Sequence, residues 1–471
     1  MGLRLFNTLS RETEAFVPLD PEGKQVSLYC CGPTVHDFAH IGNFRTFVLT
    51  DLLCRYLRFR GFEVNHVMNI TDVEDKIIAR VKEAGVALRD YTSKYEEAFF
   101  DDLAALGCAR PDQVPHATDY VSEIIELIEK LVERGIAYRT PDGSVYFSIQ
   151  KYQELGHVYG QLTKIDFEKM RPGDRVTNDE YEKDSIADFA LWKARVPGDG
   201  DVFWESPWGE GRPGWHVECS AMSMKLLGPS FDLHLGGEDL VFPHHEDEIA
   251  QSEGACVHCG GERFVRYWVH GAHLLVEGKK MSKSLGNFYT LRDLVNQGFT
   301  GREVRFVLSS SHYRETFNFT IDGLKGGRTA LRRIDECVGK LEELAGSETG
   351  EAHGELIGRF TDALDDDLNV SSGWAVIFDW VRDMNRRMTE KALSASEAAQ
   401  QLAAWRAIEE ALGIQGQSEE ETPAEVLDLM EQRQAARKEK NFQRADEIRD
   451  ELLASGWTIE DTPEGPRAKR A

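Results

Sequence analysis

The first strong pattern along the chain is a short apolar run, a glycine–proline pair and then a helical stripe. Residues 28–31 carry apolar or thiol side chains, which predicts a buried strand that ends at Gly32 and Pro33. Apolar residues then recur at close to helical spacing, at Ile41, Phe44, Phe47, Val48, Leu52, Leu53, Tyr56 and Leu57. A turn between a strand and a helix leaves free backbone N–H groups, which suit an anion such as a nucleotide triphosphate. His36 and His40 stand beside this turn.

A second strand–helix unit follows in residues 63–82. The segment EVNHVMN has the composition of a strand, and the segment ITDVEDKIIARV after it has helical periodicity. Thr71 or Asp72 is placed to cap this helix. Two strand–helix units in succession predict a parallel sheet and therefore an α/β fold.

The pattern changes twice later in the chain. A helical stripe at residues 121–132 and a strand, GSVYFSI, precede a polar run at 151–195, which interrupts the strand–helix alternation and predicts an inserted domain. Helical spacing with few strand signals then continues to about residue 412, which predicts a helical bundle. The acidic segment GQSEEETPAE predicts a linker before a last, charged module.

Composition and charge narrow the class of protein. A chain of 471 residues that is 41% hydrophobic can bury a large core. Its net charge of −26 argues against non-specific binding of nucleic acid over the whole surface, and no DNA partner is expected. No segment is apolar enough to span a membrane, and MGLRLFNTLS lacks the apolar core of a signal peptide, so we expect a cytoplasmic protein. Eight cysteines at irregular spacing predict reduced thiols or metal ligands.

Cysteine, histidine and glutamate residues in three separate segments suggest a metal site. His244 and Glu248 are four positions apart, so on a helix they share a face and can close on one ion. Cys219 and a thiol from the turn after the first strand would complete a set of two cysteines, one histidine and one glutamate. The spacing alone does not require a metal, because no single segment supplies the set. His245 is expected to pack beside His244 rather than to bind the ion.

Two further stretches have the chemistry of a nucleotide site. Residues 280–284, KMSKS, lie between glycines and have no apolar periodicity, which predicts a loop whose two lysines can move onto phosphates. Gly236 and Gly237 allow a ligand such as adenosine to approach the backbone closely. A plain tight turn explains these two glycines nearly as well.

The words HIGN at residues 40–43 and KMSKS at 280–284, in this order, resemble the signature of class I aminoacyl-tRNA synthetases. The flanking words CGPTVHDFAHIGN, NITDVEDKII, GRPGWHVECSAM and FPHHEDEIAQS resemble the cysteinyl-tRNA synthetase family in particular. The similarity covers essentially the whole chain. One departure is Asn43, where the class signature ends in a second histidine, and members of the cysteine branch are similar here.

The resemblance implies three sets of site residues. The implied zinc ligands are Cys31, Cys219, His244 and Glu248. The implied ATP-binding or catalytic residues are His36, His40, Asn43, Gly236, Gly237, Lys280 and Lys283. The implied cysteine-binding residues are Gly32, Thr71 and Trp215, although capping of a helix remains an equal alternative for Thr71. Cys30 is expected to be packed, because alternation along the strand turns it to the face opposite Cys31.

The implied reaction has two steps. ATP and L-cysteine would give cysteinyl adenylate, and the terminal adenosine hydroxyl of tRNA(Cys) would then take the cysteinyl group. One Zn²⁺ per chain and Mg²⁺ with ATP are the expected cofactors. We expect a monomer. Two alternatives stay open, a cysteine ligase acting on an amino sugar and a non-catalytic RNA-binding paralogue.

The last module resembles the anticodon-reading part of the same family. Its implied tRNA-binding residues are Arg437, Lys440, Phe442 and Arg444. The cations can meet phosphates, and the aromatic ring can stack on an unpaired base. A charged helical hairpin explains the charges, but it explains the aromatic residue less well. Separately, Cys256 and Cys259 have the spacing of a metal knuckle, but no second knuckle follows, and an unmetallated surface loop is expected.

The predicted domain organisation combines these segments. A Rossmann-like catalytic domain with a parallel sheet comprises residues 1–117 and 196–265, the second half carrying zinc ligands, and an inserted domain for the acceptor end of the tRNA lies between them at 118–195. A connecting domain that carries KMSKS is expected at 266–320, a helical bundle at 321–415 and a small anticodon-binding module at 424–471.

Overall fold

The structure is a computed structural model that describes residues 2–163, 188–256, 263–282, 285–415, 424–438, 441–455, 457–462 and 465–470. The chain forms two units, Met1–Ile414 and Gln415–Ala471. Within the described ranges, no helix combines the length and the apolar character needed to cross a membrane.

The first part of the larger unit alternates between strands and helices. Its elements are β1 (Arg4–Asn7), β2 (Glu12–Ala15), β3 (Gln25–Cys30), α1 (Ile41–Phe59), β4 (Glu63–Met68), α2 (Asp75–Ala84) and α3 (Leu88–Ala105). The predicted unit of strand, turn and helix is therefore β3, the turn at Gly32 and α1. The apolar stripe of α1 is buried, as its spacing predicts.

Capping of α2 by Thr71 or Asp72 is a wrong prediction. The helix begins only at Asp75 and has no side-chain cap. The Asp72 carboxylate instead accepts hydrogen bonds from the backbone N–H of Thr118, at 3.0 Å, and from its hydroxyl, at 2.5 Å. Thr71 forms an isolated β-bridge with Thr34. Both residues are thus engaged by other segments before the helix starts.

The middle of the chain interrupts the alternation with a second sheet. Its elements are α4 (Val121–Glu133), β5 (Ala137–Arg139), β6 (Val145–Phe147), α5 (Ile149–Glu154), β7 (Phe189–Ala194), β8 (Gly211–Pro213), α6 (Trp215–Leu227), β9 (Phe231–Gly237) and α7 (Glu246–Ala255). Strands β5, β6, β7 and β8 pair in that order and are antiparallel. This inserted sheet extends past residue 195, and the domain boundaries inside the larger unit stay a prediction.

The rest of the larger unit ends in long helices. Its elements are β10 (Val265–Gly271), β11 (Leu274–Val276), β12 (Lys279–Lys280), α8 (Leu291–Asn296), α9 (Gly301–Leu308), β13 (Phe317–Phe319), α10 (Ile321–Ala345), α11 (Gly354–Leu364), α12 (Val370–Thr389) and α13 (Ala395–Leu412). The helical spacing predicted after residue 321 is confirmed by α10 to α13. The stripe of Leu331, Ile334, Val338 and Leu341 faces the buried side of α10.

The parallel sheet predicted from the two strand–helix units is confirmed. Its strand order is β10–β9–β3–β4, and all three neighbouring pairs are parallel. In a parallel sheet the carboxyl ends of the strands meet at one edge, and ligands bind in the crevice outside that edge. The turns after β3, β4, β9 and β10 therefore lie together, and among the predicted site residues they carry Cys31, Gly32, His36, Thr71 and His244.

The smaller unit contains a helix pair and a hairpin. Its elements are α14 (Ala424–Lys438), α15 (Phe442–Ala454), β14 (Trp457–Thr462) and β15 (Gly465–Arg470). The helices enclose a small core of Val426, Met430, Ile448, Leu452 and Trp457. The helical part agrees with the sequence, whereas the antiparallel pairing of β14 with β15 was not predicted.

Close packing of α9 against the end of α3 gives a test of the fold. A Cβ atom on Gly301 would lie 1.8 Å from the carbonyl oxygen of Ala105, whereas a Cβ on Gly326, in α10, would have no atom within 4 Å. We expect Gly301→Ala to destabilise the larger unit by about 3 kcal/mol through overpacking. Gly326→Ala should stabilise it by roughly 1 kcal/mol, because alanine favours a helix. Urea unfolding midpoints measure both, and equal midpoints for the two variants would contradict the packing.

Candidate active site

Four buried side chains meet at the carboxyl end of β3. They are Cys31, Cys219, His244 and Glu248, and their donor atoms all lie within 4.8 Å of one another. The Sγ atom of Cys31 is 3.8 Å from Sγ of Cys219 and 3.7 Å from Oε1 of Glu248. Nε2 of His244 is 3.1 Å from the same Oε1. The structure therefore brings together the four residues that the sequence singles out, and we call them the thiol–carboxylate cluster.

Three segments supply this cluster. Cys31 directly follows β3, Cys219 lies inside α6, and Glu248 lies in the first turn of α7. His244 lies just before α7, in the irregular turn at residues 241–245, so it is not itself in regular helix. The spacing of four residues still places its ring beside the carboxylate, because the chain enters the helix directly afterwards.

A layer of further histidines surrounds the cluster. Nε2 of His234 is 2.9 Å from Oε2 of Glu248, and Nδ1 of His216 is 2.8 Å from Nδ1 of His244. Nδ1 of His245 is 2.7 Å from Nε2 of His270. The sequence analysis did not assign His216, His234 or His270 to the site. Strand alternation offered a signal for two of them, because His234 and His270 lie on the neighbouring strands β9 and β10.

A second combination of donors overlaps the first. Cys31, His234, His245 and Glu248 also have donor atoms within 4.8 Å of one another. Both combinations contain Cys31 and Glu248, so they describe one site for one ion. The set with Cys219 has two sulfur donors rather than one, and zinc favours that set because thiolates are its softer ligands.

Electrostatics favour the ionised form of two of the four donors, whereas burial raises the pKa of the Cys31 thiol well above its ordinary value. A hydrogen bond with Cys31 lowers the pKa of the Cys219 thiol to about 6, although burial acts in the opposite direction. Burial also opposes ionisation of Glu248, but the adjacent His234 and His244 outweigh it and lower the pKa of that carboxyl to about 2. Metal ligands must be deprotonated to bind. The lowered pKa values of Cys219 and Glu248 therefore favour the thiolate and the carboxylate that a cation binds. The residues present therefore fit a zinc ion.

The cysteines outside the cluster differ from Cys219 in pKa and in bonding. Cys30 is buried with its Sγ 3.3 Å from Oγ1 of Thr50, and burial raises its pKa to about 12, so it is packed as predicted. Among the residues that the structure describes, six cysteines are free thiols, namely Cys30, Cys31, Cys54, Cys108, Cys219 and Cys337. Cys256 is disulfide-bonded, so the expectation of reduced thiols is wrong for this residue, which is half-buried at the end of α7. Cys259 lies outside the described residues.

The start of α1 is capped by the side chains of His40 and Asn43. Nδ1 of His40 accepts a hydrogen bond from the backbone N–H of Asn43, at 3.2 Å, and Oδ1 of Asn43 accepts one from the backbone N–H of His40, at 3.1 Å. This reciprocal cap gives asparagine a structural role at the position where the class signature has histidine. The first turn has no acidic residue, so nothing on the helix itself opposes an anion at its positive end.

The structure places Met281 of the KMSKS motif beside this helix start. The Cε atom of Met281 lies 2.7 Å from the position that a Cβ on Gly42 would take. Lys280 is exposed in β12. The side chain of Asn287 accepts from a backbone N–H of the motif at 2.9 Å and donates to the carbonyl of Lys280 at 3.2 Å, and it was not predicted. Lys283 lies outside the described residues.

Neighbouring side chains occupy the space that a Cβ atom would take at either glycine at the end of β9. A Cβ on Gly236 would lie 2.5 Å from Cε1 of His245, and a Cβ on Gly237 would lie 2.3 Å from Oδ1 of Asp239. Packing against the histidine layer therefore explains Gly236 without a ligand. Their place at the carboxyl edge of the sheet also leaves a nucleotide contact open as a prediction.

The three predicted cysteine-binding residues come from three different segments of the chain. Gly32 donates its N–H to Oδ1 of Asn69 at 2.9 Å, and a Cβ there would overlap the carbonyl oxygen of Asn69. Thr71 is buried after β4. Trp215 begins α6, and its ring centroid lies 4.7 Å from that of His244. His36 lies with Trp215 in the wall of an open cavity, not at the start of α1.

The predicted tRNA-binding residues lie in the smaller unit. Arg437 is exposed on α14. Arg444 is half-buried on α15 and forms ion pairs with Glu447, at 3.4 Å, and with Glu451, at 3.2 Å. Phe442 is the first residue of α15. Lys440 lies outside the described residues.

Three family models match successive parts of the chain. A model of the tRNA synthetases class I (C) catalytic domain matches residues 17–328. A DALR domain model matches residues 359–416, within the helical bundle. A model of the cysteinyl-tRNA ligase anticodon binding domain matches residues 419–466.

Curated relatives match over their full length. A cysteine–tRNA ligase of Chlamydia muridarum is 48% identical over 486 residues, which cover 100% of both chains. One of Chlamydia trachomatis is also 48% identical with the same coverage, and one of Protochlamydia amoebophila is 44% identical over 99% of this chain and 98% of its own.

Solved structures share the fold. Methionyl-tRNA synthetase of Mycobacterium tuberculosis, in complex with methionyl-adenylate, aligns with a TM-score of 0.59 at 15% identity, over 83% of this chain and 90% of its own. The agnB2 LeuRS of Agrobacterium radiobacter K84, in a ternary complex with tRNA and LeuAMS, aligns with a TM-score of 0.59 at 12% identity, over 85% and 84%.

Metal content tests the composition of the cluster. We expect Cys219→Ser to reduce tightly bound zinc from about one ion per chain to a small fraction of that, because a hydroxyl does not replace a thiolate as a ligand. Cys54→Ser is the matched control, since Cys54 is also a buried free thiol and contributes no atom to the cluster. Mass spectrometry of dialysed protein gives the metal content. Full zinc in Cys219→Ser would remove this residue from the ligand set.

Proposed function

The chain belongs to the cysteine–tRNA ligases, which are class I aminoacyl-tRNA synthetases, and from this premise we propose how its residues select and activate the amino acid. The enzyme uses ATP to activate L-cysteine as cysteinyl adenylate and transfers it to tRNA(Cys). The observation that carries the proposal is the thiol–carboxylate cluster, whose donor atoms lie within 4.8 Å of one another beside Trp215 and the turn after β3.

One zinc ion per chain would be held by Cys31, Cys219, His244 and Glu248. When bound there, zinc supplies a soft acceptor that distinguishes the thiolate of cysteine from the hydroxyl of serine, a difference that pocket shape alone separates poorly. Glu248 is the hardest donor of the set, so it would be the ligand that the ion holds least tightly. His234 keeps the Glu248 carboxylate in place, since its Nε2 lies 2.9 Å from the second oxygen.

ATP is bound at the start of α1 with Mg²⁺. The phosphates lie at the positive end of the helix dipole, where the first turn has no acidic residue, and the reciprocal cap of His40 and Asn43 keeps that turn in shape. Lys280, with Lys283, offsets the charge that develops on pyrophosphate when the cysteine carboxylate attacks the α-phosphorus. Because the groups only orient and stabilise, positioning and electrostatics account for this step. The nucleoside lies along the backbone of Gly236 and Gly237, at the carboxyl end of β9.

The smaller unit reads the anticodon of tRNA(Cys). Phe442 stacks on an unpaired base, and Arg437, Lys440 and Arg444 meet phosphates. The match of residues 419–466 to an anticodon-binding model supports tRNA over an amino sugar as the acceptor. The cluster and the KMSKS motif are both complete in the sequence, which argues against a non-catalytic paralogue. We place the enzyme in the cytoplasm as a monomer.

Amino acid selection tests the role of the cluster. Cysteine-dependent and serine-dependent ATP–pyrophosphate exchange are measured for the wild type and for Glu248→Ala. We expect the ratio of kcat/KM for cysteine over serine to fall at least tenfold, which is about 1.4 kcal/mol of discrimination. Glu253→Ala, on the same helix and outside the cluster, should keep the wild-type ratio. Full zinc and full discrimination in Glu248→Ala would refute selection by the cluster.

Charging kinetics test the smaller unit. Phe442→Ala should raise the KM for tRNA roughly 5- to 100-fold, since stacking on one base is worth about 1–3 kcal/mol. Cysteine-dependent exchange should continue, because that step needs no tRNA. Gln443→Ala, at the neighbouring exposed position of α15, is the control and should leave the KM close to that of the wild type. Loss of exchange in Phe442→Ala would mean that the residue is structural.

A further inference from the structure

The chain that follows the KMSKS motif is docked on the segment that leads into α1. The backbone N–H of Ile41, the first residue of α1, donates to the carbonyl oxygen of Tyr289 at 3.0 Å. His40 and Thr290 form an isolated antiparallel β-bridge. The ring of Phe288 is nearly perpendicular to that of His40, and the two centroids are 5.2 Å apart. The two signature motifs are therefore joined by direct contacts between their flanking segments.

The KMSKS motif is tied to the segment after it. Oδ1 of Asn287 accepts a hydrogen bond from the N–H of Ser282 at 2.9 Å, and its Nδ2 donates to the carbonyl oxygen of Lys280 at 3.2 Å. Three residues further on, Thr290 and Asp293 form a reciprocal cap at the start of α8. Because the segment is held at both ends, the position of α8 determines where Lys280 lies relative to α1.

Arg292 fastens α8 to two other segments. Its Nε atom lies 3.1 Å from Oδ1 of Asp102, and its Nη2 atom donates to the carbonyl oxygen of Ala98 at 3.2 Å. Both acceptors lie on α3. Its Cζ atom is also 5.1 Å from the centroid of the Phe38 ring, which is within the range of a cation–π contact. One side chain thus joins α8, α3 and the segment before α1.

Helix α3 supports the segment before α1 independently of Arg292. The hydroxyl of Tyr91 donates to the carbonyl oxygen of His36 at 2.9 Å. The ring of Tyr95 packs edge-on against that of Phe38, with 5.2 Å between the centroids. The carboxylate of Asp102, on the same helix, has a side chain that is only 6% exposed. Helix α3 therefore gives both Phe38 and Arg292 a fixed base.

The exposure of Arg292 indicates what its contacts contribute. Its side chain is 43% exposed, and an ion pair that water can reach contributes little to the free energy of folding. A guanidinium group is nevertheless planar and directional, so it can fix the orientation of α8 relative to Phe38. Orientation matters at this place, because groups that stabilise developing charge act through their position.

We propose that Arg292 is a positioning residue for the activation step, which holds the segment after the KMSKS motif against the start of α1 through Phe38 and Asp102. The inference rests on the proposed function, in which Lys280 and Lys283 offset charge on pyrophosphate. The second step transfers the cysteinyl group to tRNA and releases no pyrophosphate. Loss of Arg292 should therefore slow activation and leave transfer unchanged.

Two single-turnover reactions of the full-length enzyme test the assignment in Arg292→Ala. The first is formation of cysteinyl adenylate from ATP and L-cysteine. The second is transfer to a tRNA(Cys) transcript from adenylate that has been formed beforehand on the enzyme. We expect the first rate constant to fall roughly ten- to hundredfold, because a small misplacement of positioned groups is costly. The second rate constant should stay close to that of the wild type.

Arg328→Ala is the matched control. The side chain of Arg328 is 46% exposed, and its Nε atom pairs with Oε1 of Glu303 at 2.6 Å. Its Cζ atom lies 4.7 Å from the centroid of the Phe299 ring. These contacts have the same chemistry as those of Arg292, but they join α10 to α9 and to the residue just before it. The control variant should keep both rate constants of the wild type.

A double-mutant cycle with Phe38 gives a second readout. Phe38→Leu removes the aromatic ring and keeps an apolar side chain, so it should also slow adenylate formation. The two changes together should cost little more than Arg292→Ala alone, because the effects of residues in contact are not additive. Additive losses would mean that Arg292 does not act through Phe38 and would overturn the assignment.

A loss in transfer that equals or exceeds the loss in activation, or no loss in activation, would also overturn the assignment. If Arg292→Ala does not fold, Arg292→Lys keeps the charge opposite Asp102 but lacks the planar guanidinium. Adenylate formation should still slow in that variant, and an unchanged rate constant would contradict the proposal. Absence of adenylate formation in the wild type would refute the proposed function instead, so the two failures are distinguishable.

Discussion

Two thiols, an imidazole and a carboxylate are buried together in the thiol–carboxylate cluster, and the rest of the larger unit is arranged around this cluster. Glu248 is fully buried, and a buried charge is costly unless it is paired or binds a metal. His234 and His244 pair with it from two sides, at 2.9 and 3.1 Å. Each of the three segments that supply the cluster is therefore fixed by its neighbours. A metal ion would add the positive charge that a second thiolate, from Cys31, requires.

Close backbone contacts hold those segments at the required distance. The turn after β3 lies against the end of β4, where a Cβ on Gly32 would be 1.6 Å from the carbonyl oxygen of Asn69. The start of α6 lies against β7, where a Cβ on Gly214 would be 2.1 Å from the carbonyl oxygen of Ala190. The inserted sheet is thus fixed directly to the helix that carries Cys219.

The sequence was sufficient where the physical cause is local. The apolar run and stripe of β3 and α1, and the spacing of His244 and Glu248, depend on periodicity that can be counted along the chain. The sequence was insufficient where the partner of a residue comes from a distant segment of the chain. Thr118 donates a hydrogen bond to Asp72, which therefore does not cap α2. Asn43 forms a reciprocal cap with His40, and this contact becomes visible only in the folded helix start. The contact of His216 comes from tertiary structure alone, because its partner His244 lies on another element.

Zinc K-edge X-ray absorption measures the coordination that the account depends on. The full-length protein with one equivalent of zinc is examined alone, with L-cysteine and with L-serine. The account predicts two sulfur neighbours for the free enzyme, from Cys31 and Cys219, at about 2.3 Å. With L-cysteine it predicts a third sulfur neighbour, and with L-serine no change. A sulfur count that stays the same when cysteine is bound would contradict the claim that the cluster selects the substrate through its thiol.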